Sequence, residues 1–514
     1  MTKRQARREV ALAGDVLVVG LGRRGGGTGV VRHLAADPGC SVTVVDDGDR
    51  DTFADIDDLE AEMPGVRFLF ASDAASVSVT DFDVIVRNPA VPFHTERLEE
   101  ARAAVPPIPI VTEATIFLDA FPGRTIGVTG SKGKTSTCYF LTHLLGGRPD
   151  GEPVPGNPDV RMVGNMGGSA LEALEGATES TTAVYELSSF QTESLDEHGI
   201  TTEVACLTSL HPDHLTAYDD EVDRYYDAKA PLFTLQGEDD WRIHVPVEEL
   251  PRPIVAGSPA RWVAIGRDHP DAEVAVWLDQ GAVHLRRDGR SVALIAADAI
   301  PVEGEHRMEN VLVAVAGAAV LGTADADLVS RLPDLPPVPH RMEPIPVSSS
   351  VRWINDTAAT NPTAAKACLD SLSSPAGERT LIAICGGESK HIGFQDFVDA
   401  VVDHRVVPVL LPGNESALLR DLLEARGAVV HGPTASMVDA VKVAAGLADA
   451  AGPGERIVTL TPGWSSVGHF VDEFDRGGQF IAAVLLLHGV AVDEEQVQIL
   501  ARSRRRPIDT IVDL

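Results

Sequence analysis

The chain has 514 residues, 44% of them hydrophobic, with a formal net charge of −33 and a pI near 4.8. This length exceeds one hydrophobic core, so several domains are expected, and the negative charge argues against non-specific binding to nucleic acid or an anionic membrane. Five scattered cysteines without C-x-x-C spacing argue against disulfides or a zinc site and favour a cytoplasmic location. No apolar run reaches about 18 residues, so no membrane insertion is expected.

The first region, 1–111, alternates predicted strands and helices. Residues 16–34 predict a strand, a glycine turn and a helix, with Gly20, Gly22 and Gly25 in G-x-G-x-x-G spacing. The next predicted strands lie at 41–45, which Asp46 follows, at 66–70 and at 83–86. This pattern is typical of a dinucleotide-type βαβ unit. The glycine turn suits the diphosphate of NAD or of a uridine nucleotide, and both remain open.

The second region, 112–338, opens with GVTGSKGKTST at 127–137. A buried strand is predicted over 125–128 and a helix over 137–145. Backbone N–H groups and a helix N-terminus form a ready anion site, so this order predicts a phosphate-binding loop. Lys134 is expected to reach the terminal phosphates and the Thr135 hydroxyl to help hold Mg²⁺. The glycine spacing fits G-x-x-G-K-[ST] and departs from the commoner G-x-x-x-x-G-K-[ST].

Polar side chains follow later strands of the second region. Glu186 ends a strand predicted over 183–187, where it is placed to bind Mg²⁺, with a solvated strand-end acid as the alternative. His214 follows a strand predicted over 204–208, where metal and phosphate are expected to meet, with a structural histidine as the alternative. One helix is predicted over 221–233. Its Lys229 has neighbours typical of a surface lysine.

The third region, 339–514, repeats the α/β alternation. Its predicted strands lie at 352–354, 381–384, 407–411, 428–430 and 457–460. The loops NDT at 355–357, GGESK at 386–390 and TPGWSS at 461–466 follow three of them and suggest a substrate-binding face. The sequence therefore predicts an α/β fold of three domains. These are a Rossmann-like N-terminal domain (1–111), a central phosphate-loop domain (112–338) and a Rossmann-like C-terminal domain (339–514).

In this order the motifs resemble the Mur ligase family of peptidoglycan precursor synthesis, and within it the branch that adds glutamate to UDP-N-acetylmuramoyl-L-alanine. Ten matching segments cover nearly the whole chain, which makes the resemblance specific. They are GVTGSKGKTST, GNMGG, YELSSFQ, PDHL, AK at 228–229, GEH at 304–306 with Asn310, PHR at 339–341, ND at 355–356 with TNP at 360–362, GGESK, and SS at 465–466 with RG at 476–477.

The resemblance implies an ATP-dependent acid–amino-acid ligase that forms an acyl phosphate and uses two Mg²⁺ ions. The first domain is then expected to bind UDP and the third to bind glutamate. Implied ATP contacts are Gly130, Ser131, Lys132, Gly133, Lys134, Thr135, Ser136, Asn310, Arg341 and Asp356. Implied metal ligands are Thr135, Glu186, His214 and a carbamylated Lys229, and implied catalytic residues are Lys134, His214 and Lys229. Implied substrate contacts are Gly20, Gly22, Asp46, Asn165, Ser188, Thr360, Lys390 and Ser466.

Several positions depart from the family's usual pattern. Lys132 replaces an Asn, Ala358 a Lys and Glu473 a Phe, while HR at 306–307 replaces His-Asn and RNPA at 87–90 replaces Ser-Pro-Gly. These departures resemble the variant branch that adds L-glutamate, whose product a partner epimerase then converts. L-glutamate is therefore predicted over D-glutamate.

Three other functions are less consistent with the sequence. Folylpolyglutamate synthase shares the central ATP domain, but the N-terminal glycine turn suits a UDP-linked substrate better. A catalytically silent binding protein has no chemical need for Lys134, Glu186, His214 and Lys229 together. A nicotinamide dehydrogenase leaves the phosphate loop unexplained.

Overall fold

The computed structural model describes residues 12–22, 26–53, 55–165, 168–245, 258–269, 272–374, 378–388, 393–466, 468–502 and 508. They carry three sheets made largely of parallel strands with helices between them, which confirms the predicted α/β class. The chain divides into two compact units, Met1–Ile300 with Glu309–Asp334, and Pro301–Met308 with Leu335–Leu514. The first unit contains the first two sheets. The domain limits 1–111, 112–338 and 339–514 stay a prediction.

The first sheet has the strand order β3-β2-β1-β4-β5 and is parallel throughout. Its strands are β1 (Gly14–Val19), β2 (Cys40–Asp46), β3 (Arg67–Phe70), β4 (Val84–Arg87) and β5 (Ile110–Val111), with helices α1 (Gly26–Ala35), α2 (Ile56–Glu62), α3 (Ala71–Ala75) and α4 (Glu96–Ala103). This is the order of a doubly wound sheet, whose ligand crevice lies where the strand order reverses. The glycine turn after β1 lies at that point.

The second sheet has nine strands in the order β14-β13-β12-β11-β10-β9-β6-β8-β7. Its strands are β6 (Arg124–Thr129), β7 (Val160–Gly164), β8 (Thr182–Glu186), β9 (Val204–Leu207), β10 (Trp241–His244), β11 (Arg261–Ile265), β12 (Val274–Asp279), β13 (Ala282–Arg287) and β14 (Arg290–Ala296). Pairing is parallel from β7 to β12 and antiparallel from β12 to β14. Its helices are α5 (Glu113–Ala120), α6 (Lys134–Leu144), α7 (Ser189–Thr192), α8 (Val222–Asp227), α9 (Pro231–Thr234), α10 (Glu305–Val320) and α11 (Asp325–Arg331).

The third sheet has the order β15-β16-β19-β17-β18, and only its edge strand β15 pairs antiparallel. Its strands are β15 (Glu343–Pro344), β16 (Val351–Asn355), β17 (Arg379–Cys385), β18 (Val407–Leu410) and β19 (Glu455–Leu460), with helices α12 (Pro362–Leu372), α13 (Gln395–Asp403), α14 (Ser416–Ala425), α15 (Met437–Ala450), α16 (Glu473–Leu487) and α17 (Glu494–Arg502). Short 3-10 helices lie at Arg50–Thr52, Val79–Asp81, Ala170–Leu174, Glu193–His198, Leu215–Tyr218, Ala297–Ala299 and Leu332–Asp334.

Two predicted elements are wrong. The helix predicted over 221–233 is two helices, α8 and α9, because Pro231 has no N–H to donate and begins a new helix instead. The strand predicted over 428–430 is only a single parallel bridge between Val409 and His431, which the turn at Gly432 and Pro433 ends. The helix predicted over 137–145 begins earlier, at Lys134.

The strands nearest the phosphate loop are buried on both faces. All residues of β8 and all but the first residue of β6 are buried, as expected of a parallel sheet covered by helices. All five cysteines are free thiols. In the part of the chain that the structure describes, no helix has both the length and the apolar character needed to cross a membrane.

Candidate active site

The loop between β6 and α6 depends on its two glycines. Gly130 has φ +148° and Gly133 has φ +87°, in the region that favours glycine. A Cβ on Gly130 would lie 2.2 Å from Oγ1 of Thr208, and one on Gly133 would lie 2.3 Å from Oδ1 of Asn310. Asn310 therefore lies directly against the loop, as its predicted contact with ATP requires.

Ser131 joins this loop to the segment that carries His214. Its N–H donates to the carbonyl of Ser209 at 3.0 Å, and its hydroxyl donates to the carbonyl of His211 at 2.6 Å. The same hydroxyl accepts from the N–H of His211 at 2.9 Å and from the Tyr225 hydroxyl at 3.0 Å. The phosphate loop and the segment after β9 consequently form one hydrogen-bonded structure.

Two lysines of the loop take different directions. The Lys134 amine donates to the carbonyls of Gly130 at 2.8 Å and Ser131 at 3.2 Å, so it lies over its own loop. The Lys132 amine instead pairs with Oδ2 of Asp213 at 3.0 Å. Because α6 begins at Lys134, the positive end of the helix dipole lies at the same place. The loop, its lysine and the helix end are together suited to hold an anion.

Glu186 places a buried carboxylate oxygen at the end of β8. It ends β8, beside Val128 of β6, with 2% of its surface exposed. Among the described residues, its Oε2 is buried without a hydrogen-bond partner. A buried carboxylate oxygen without a partner is costly, and a cation bound there would remove the cost. Glu186 therefore fits a metal ligand.

The donor set suits Mg²⁺ bound jointly by protein and phosphate. No group of three or more His, Cys, Asp or Glu side chains that could hold a metal occurs within the described ranges. Mg²⁺ in nucleotide sites takes one or two carboxylates together with phosphate oxygens and waters. Glu186, with the Thr135 hydroxyl in the first turn of α6, meets that description.

His214 and Lys229 both lie against Tyr225. The His214 ring centroid is 6.4 Å from that of Tyr225, and His214 has φ 52°. Desolvation lowers the pKa of His214, and the charge of Lys134 lowers it further. The Lys229 amine lies 4.3 Å from the Tyr225 ring centroid in a side chain that is 1% exposed. Burial lowers the pKa of Lys229 well below its usual value, and Lys134 adds to this effect, so the amine is held towards its neutral form.

The residues predicted to bind the UDP-linked substrate lie on two turns of the first unit. Asp46 accepts from the N–H groups of Leu21 and Gly48, each at 2.9 Å, and so stabilises the first glycine turn. Asn165 and Ser188 flank Glu186. The N–H of Asn165 donates to the Glu186 carbonyl at 3.1 Å, and the Ser188 hydroxyl donates to Oε1 of Gln191 at 3.0 Å. Gly25 and Lys390 lie outside the described residues.

In the second unit, predicted contacts follow the carboxyl ends of adjacent strands. Asp356 follows β16, and its Oδ1 accepts from the N–H of Met342 at 3.0 Å. Burial raises the pKa of Asp356 to about 6, and the charges of Arg341 and Arg307 oppose the shift. Arg341 is therefore close enough to Asp356 for its charge to act on the carboxylate. Thr360 follows Asp356 along the same loop.

The loops after β17 and β19 are hydrogen-bonded to each other. The N–H of Glu388 donates to the Ser465 carbonyl at 3.0 Å, and the N–H of Ser465 donates back at 3.2 Å. Ser466 is therefore beside the GGESK loop, and only 4% of its surface is exposed. That these loops bind a substrate stays a prediction.

Arg476 is a buried residue whose structural role the sequence did not reveal. Its guanidinium donates to the hydroxyl and carbonyl oxygens of Thr357 and to the Trp464 carbonyl, each at 3.1 Å. Thr357 in turn donates to the Glu473 carbonyl at 2.7 Å. Burial lowers the pKa of Arg476 to about 10. Arg476 thus ties together the loops after β16 and β19 and the start of α16.

A cavity of about 410 Å³ lies at the opposite edge of the central sheet. Trp241, Arg261 and Val274, at the starts of β10, β11 and β12, line it. Its arginines already pair with carboxylates of the chain: Arg261 with Glu273, Arg286 with Asp268 and Arg287 with Asp325. The cavity is separate from the phosphate loop and from Glu186.

Comparisons with known proteins agree with this geometry. The Mur ligase middle domain profile matches residues 128–318, and that of the Mur ligase glutamate ligase domain matches 340–462. The UDP-N-acetylmuramoylalanine–D-glutamate ligase of Roseiflexus sp. (strain RS-1) is 35% identical over 490 residues, which are 91% of this chain and 98% of the relative. The enzyme of the same name from Symbiobacterium thermophilum is 29% identical over 477 residues, covering 92% and 98%.

Solved structures share the fold at low identity. The UDP-N-acetylmuramate–alanine ligase MurC of Thermotoga maritima matches with a TM-score of 0.52 and 18% identity, over 92% of this chain and 99% of that one. MurF of Acinetobacter baumannii matches with a TM-score of 0.52 and 18% identity, over 88% of each chain. The profile matches and the Roseiflexus relative establish that the chain belongs to the Mur ligase family.

Proposed function

We propose that this chain joins glutamate to UDP-N-acetylmuramoyl-L-alanine, with conversion of ATP to ADP and phosphate, in peptidoglycan precursor synthesis. The names of the Roseiflexus and Symbiobacterium relatives support the substrates. The observation that carries the proposal is the buried Oε2 of Glu186, which has no hydrogen-bond partner in the described part of the chain and lies beside the strand that leads into the phosphate loop. That pairing of a cation site with an anion site suits phosphoryl transfer.

The proposed chemistry has two steps. The L-alanyl carboxylate attacks the γ-phosphorus of ATP, and ADP leaves. The amine of glutamate then attacks the acyl phosphate, the new amide forms, and phosphate leaves with a proton released to solvent. Both reactants of the first step are anions, so the main requirement is neutralisation of charge at fixed geometry. Lys134, the loop N–H groups and the start of α6 supply it on the phosphate side.

Mur ligases use ATP and Mg²⁺. We assign Thr135, Glu186, His214 and Lys229 to two Mg²⁺ sites, with Lys229 acting as a carbamate. Bound Mg²⁺ supplies Lewis-acid stabilisation of charge on the reacting oxygens. A neutral Lys229 amine attacks CO₂, the N–C bond forms, and one amine proton passes to solvent, which leaves one negative charge. The lowered pKa of the buried amine favours this reaction.

We predict that Lys229→Ala slows phosphate release about 100-fold and that acetate or formate restores part of the rate. A small carboxylate can enter the space left by the side chain and replace the carbamate. The measurement is phosphate release against carboxylate concentration, with sodium chloride at equal ionic strength as the control. A rate that no carboxylate improves would contradict the carbamate role.

The remaining site residues divide between the two substrates. Gly20, Gly22 and Asp46, on the first glycine turn, are proposed to hold the uridine diphosphate, and Asn165 and Ser188 to hold the part near the reacting carboxylate. Thr360, Lys390 and Ser466 are proposed to hold glutamate. The loops after β16, β17 and β19 support this division, because parallel strands present their carboxyl ends at one edge.

The proposal also concerns which enantiomer of glutamate is the substrate. The relatives' names favour D-glutamate. The departures at Ala358 and Glu473 favour L-glutamate, which stays the sequence-based prediction and the second candidate. A site that holds the α-substituents of one enantiomer leaves polar groups unpaired with the other, so strong discrimination is expected. An epimerase is a functional partner only if L-glutamate is the substrate.

The test is phosphate release by the full chain with UDP-N-acetylmuramoyl-L-alanine, ATP and Mg²⁺, with each glutamate enantiomer separately. Release with D-glutamate alone supports the ordinary reaction, and release with L-glutamate alone supports the variant. No release with either enantiomer, together with release by another amino acid, would overturn the glutamate assignment. The cytoplasmic location stays a prediction, which fractionation of the source cells tests.

A further inference from the structure

Arg87 is a charged side chain buried between two parts of the first unit. It ends β4, and its side chain is 1% exposed. Its guanidinium donates to the carbonyl of Val91 at 2.7 Å, the carbonyl of Phe190 at 2.8 Å, the hydroxyl of Ser194 at 2.7 Å and Oε1 of Glu193 at 3.1 Å. Burying a guanidinium is costly unless its donors are paired, so a residue of this kind requires a specific arrangement of its partners.

One side of Arg87 holds the wall of the first glycine turn. Val91 accepts from the guanidinium, and Asn88 donates its N–H to the Val19 carbonyl at 2.9 Å. A Cβ on Gly20 would lie 2.6 Å from Cγ2 of Val91, and one on Gly22 would lie 2.8 Å from Nδ2 of Asn88. Residues 88 and 91 therefore pack so closely against the turn that a side chain at either glycine would displace them.

The other side of Arg87 holds a segment that packs on the proposed metal ligands. The Phe190 ring is 5.8 Å from the His214 ring and stacks on Tyr218 at 5.7 Å. Thr192 donates its hydroxyl to the Ala228 carbonyl at 2.7 Å, directly before Lys229. Arg87 holds the carbonyl of Phe190 in this segment. The segment is thus in contact with the His214 ring and with the residue before Lys229.

We propose that Arg87 is a positioning residue that holds the UDP-binding glycine turn in register with His214 and Lys229. It acts through the Val91 carbonyl on one side and the Phe190 carbonyl on the other. The inference rests on the proposed function. The phosphate loop has its own contacts with Ser209, His211 and Tyr225, so the position of Lys134 does not depend on Arg87. Loss of Arg87 is therefore expected to impair the reacting carboxylate's alignment while ATP binding persists.

Arg102 provides a matched control in the same interface. It pairs with Glu197 at 3.0 Å, on the 3-10 helix that follows Thr192, and the two side chains are 24% and 26% exposed. It also packs on Phe93, as Arg87 does. Arg102→Met removes an arginine–glutamate pair between the same two parts of the chain. It leaves the contacts of Arg87 with Val91 and Phe190 in place.

The kinetic test compares Arg87→Met, Arg87→Lys and Arg102→Met in the full chain. Arg87→Met is expected to lower kcat about 10- to 100-fold while KM for ATP stays within about twofold. Arg87→Lys is expected to be intermediate, because it keeps the charge without the planar fork. Arg102→Met is expected to keep the parent kcat even where its thermal midpoint falls. If Arg87→Met and Arg102→Met have the same kcat, the proposal is overturned, because Arg87 would then contribute only to the stability of the fold.

Amide hydrogen exchange tests the same proposal without substrate. Arg87→Met is expected to speed exchange in both 88–91 and 188–194, whereas Arg102→Met is expected to leave them unchanged. If Arg87→Met does not fold, Arg87→Lys carries both tests. Unchanged exchange in the two segments would overturn the positioning role. The parent chain could prove inactive while Arg87→Met still speeds exchange in both 88–91 and 188–194. That result would overturn the proposed reaction but would support the role of Arg87 in holding the two segments together.

Discussion

Glu186→Gln is expected to abolish phosphate release and to leave the chain at least as stable as the parent. The carboxamide has the shape of the carboxylate but removes a charge whose Oε2 is buried without a partner among the described residues. Because burying such a group costs free energy, the free energy of unfolding without metal is expected to rise by about 1 kcal/mol. A carboxamide is a poor Mg²⁺ ligand, and losing several kcal/mol of charge stabilisation slows the reaction by about 10³-fold or more.

The measurements are steady-state phosphate release and denaturant unfolding in the presence of EDTA. Glu113→Gln is the matched control, because Glu113 is also buried but its Oε1 accepts from the Ser169 hydroxyl at 2.5 Å and the Ala170 N–H at 2.9 Å. Burial raises the pKa of Glu113, but its two hydrogen bonds oppose that shift, so its neutralisation is expected to stabilise the chain less than that of Glu186. A Glu186→Gln variant that is active, or less stable than the parent, would contradict the assignment of Glu186 to Mg²⁺.

Lys134→Ala is expected to reduce phosphate release by at least about 10³-fold, because the Lys134 amine lies over the loop, whereas the amine of the other loop lysine, Lys132, pairs with Asp213. Stability is expected to change by less than about 1 kcal/mol, since the amine is part-buried and hydrogen-bonds to carbonyls of its own loop. Lys134→Arg is expected to fail as well, because the bulkier planar group does not fit the place of a compact ammonium.

The comparison combines phosphate release, ATP binding by calorimetry and thermal unfolding. Lys366→Ala serves as the control. Lys366 lies on α12 and pairs with Asp370 on the surface of the second unit, so its loss is expected to leave the rate unchanged. Full activity of Lys134→Ala would place the phosphate site elsewhere and overturn the reading of the loop.

The phosphate loop was predictable because its requirements are local. Gly130, Gly133 and Lys134 lie within five residues. Both glycines have positive φ, and Thr208 and Asn310 leave no room for a Cβ on them. The break between α8 and α9 was also present in the sequence, as Pro231, but apolar periodicity across 221–233 masked it. Strands β10 to β14 were not predicted. The edge pairing of β12 to β14 depends on a hairpin in which buried and exposed residues alternate only in part.

Tertiary contacts account for what the sequence could not reveal. Arg87 ends a short apolar strand, a position where an arginine is ordinarily solvated, yet its partners Phe190 and Ser194 lie more than 100 residues away. Lys229 looked like a surface lysine until the family resemblance assigned it a role. Its burial comes from packing on Tyr225, which no local pattern specifies.

Asp46 was expected to contact substrate, and that role stays a prediction, although its carboxylate already accepts from the glycine turn.

The antiparallel end of the central sheet offers an attachment point for experiments that must leave chemistry undisturbed. The turn between β12 and β13 has Gln280 at φ 48° and Gly281 at φ 75°, and both residues are exposed. Five strand spacings separate β13 from β6, a distance of about 24 Å. A fluorophore or an immobilising linker grafted there would be carried rigidly by the sheet. Its signal would report tumbling and surface orientation of the molecule rather than the occupancy of the phosphate loop.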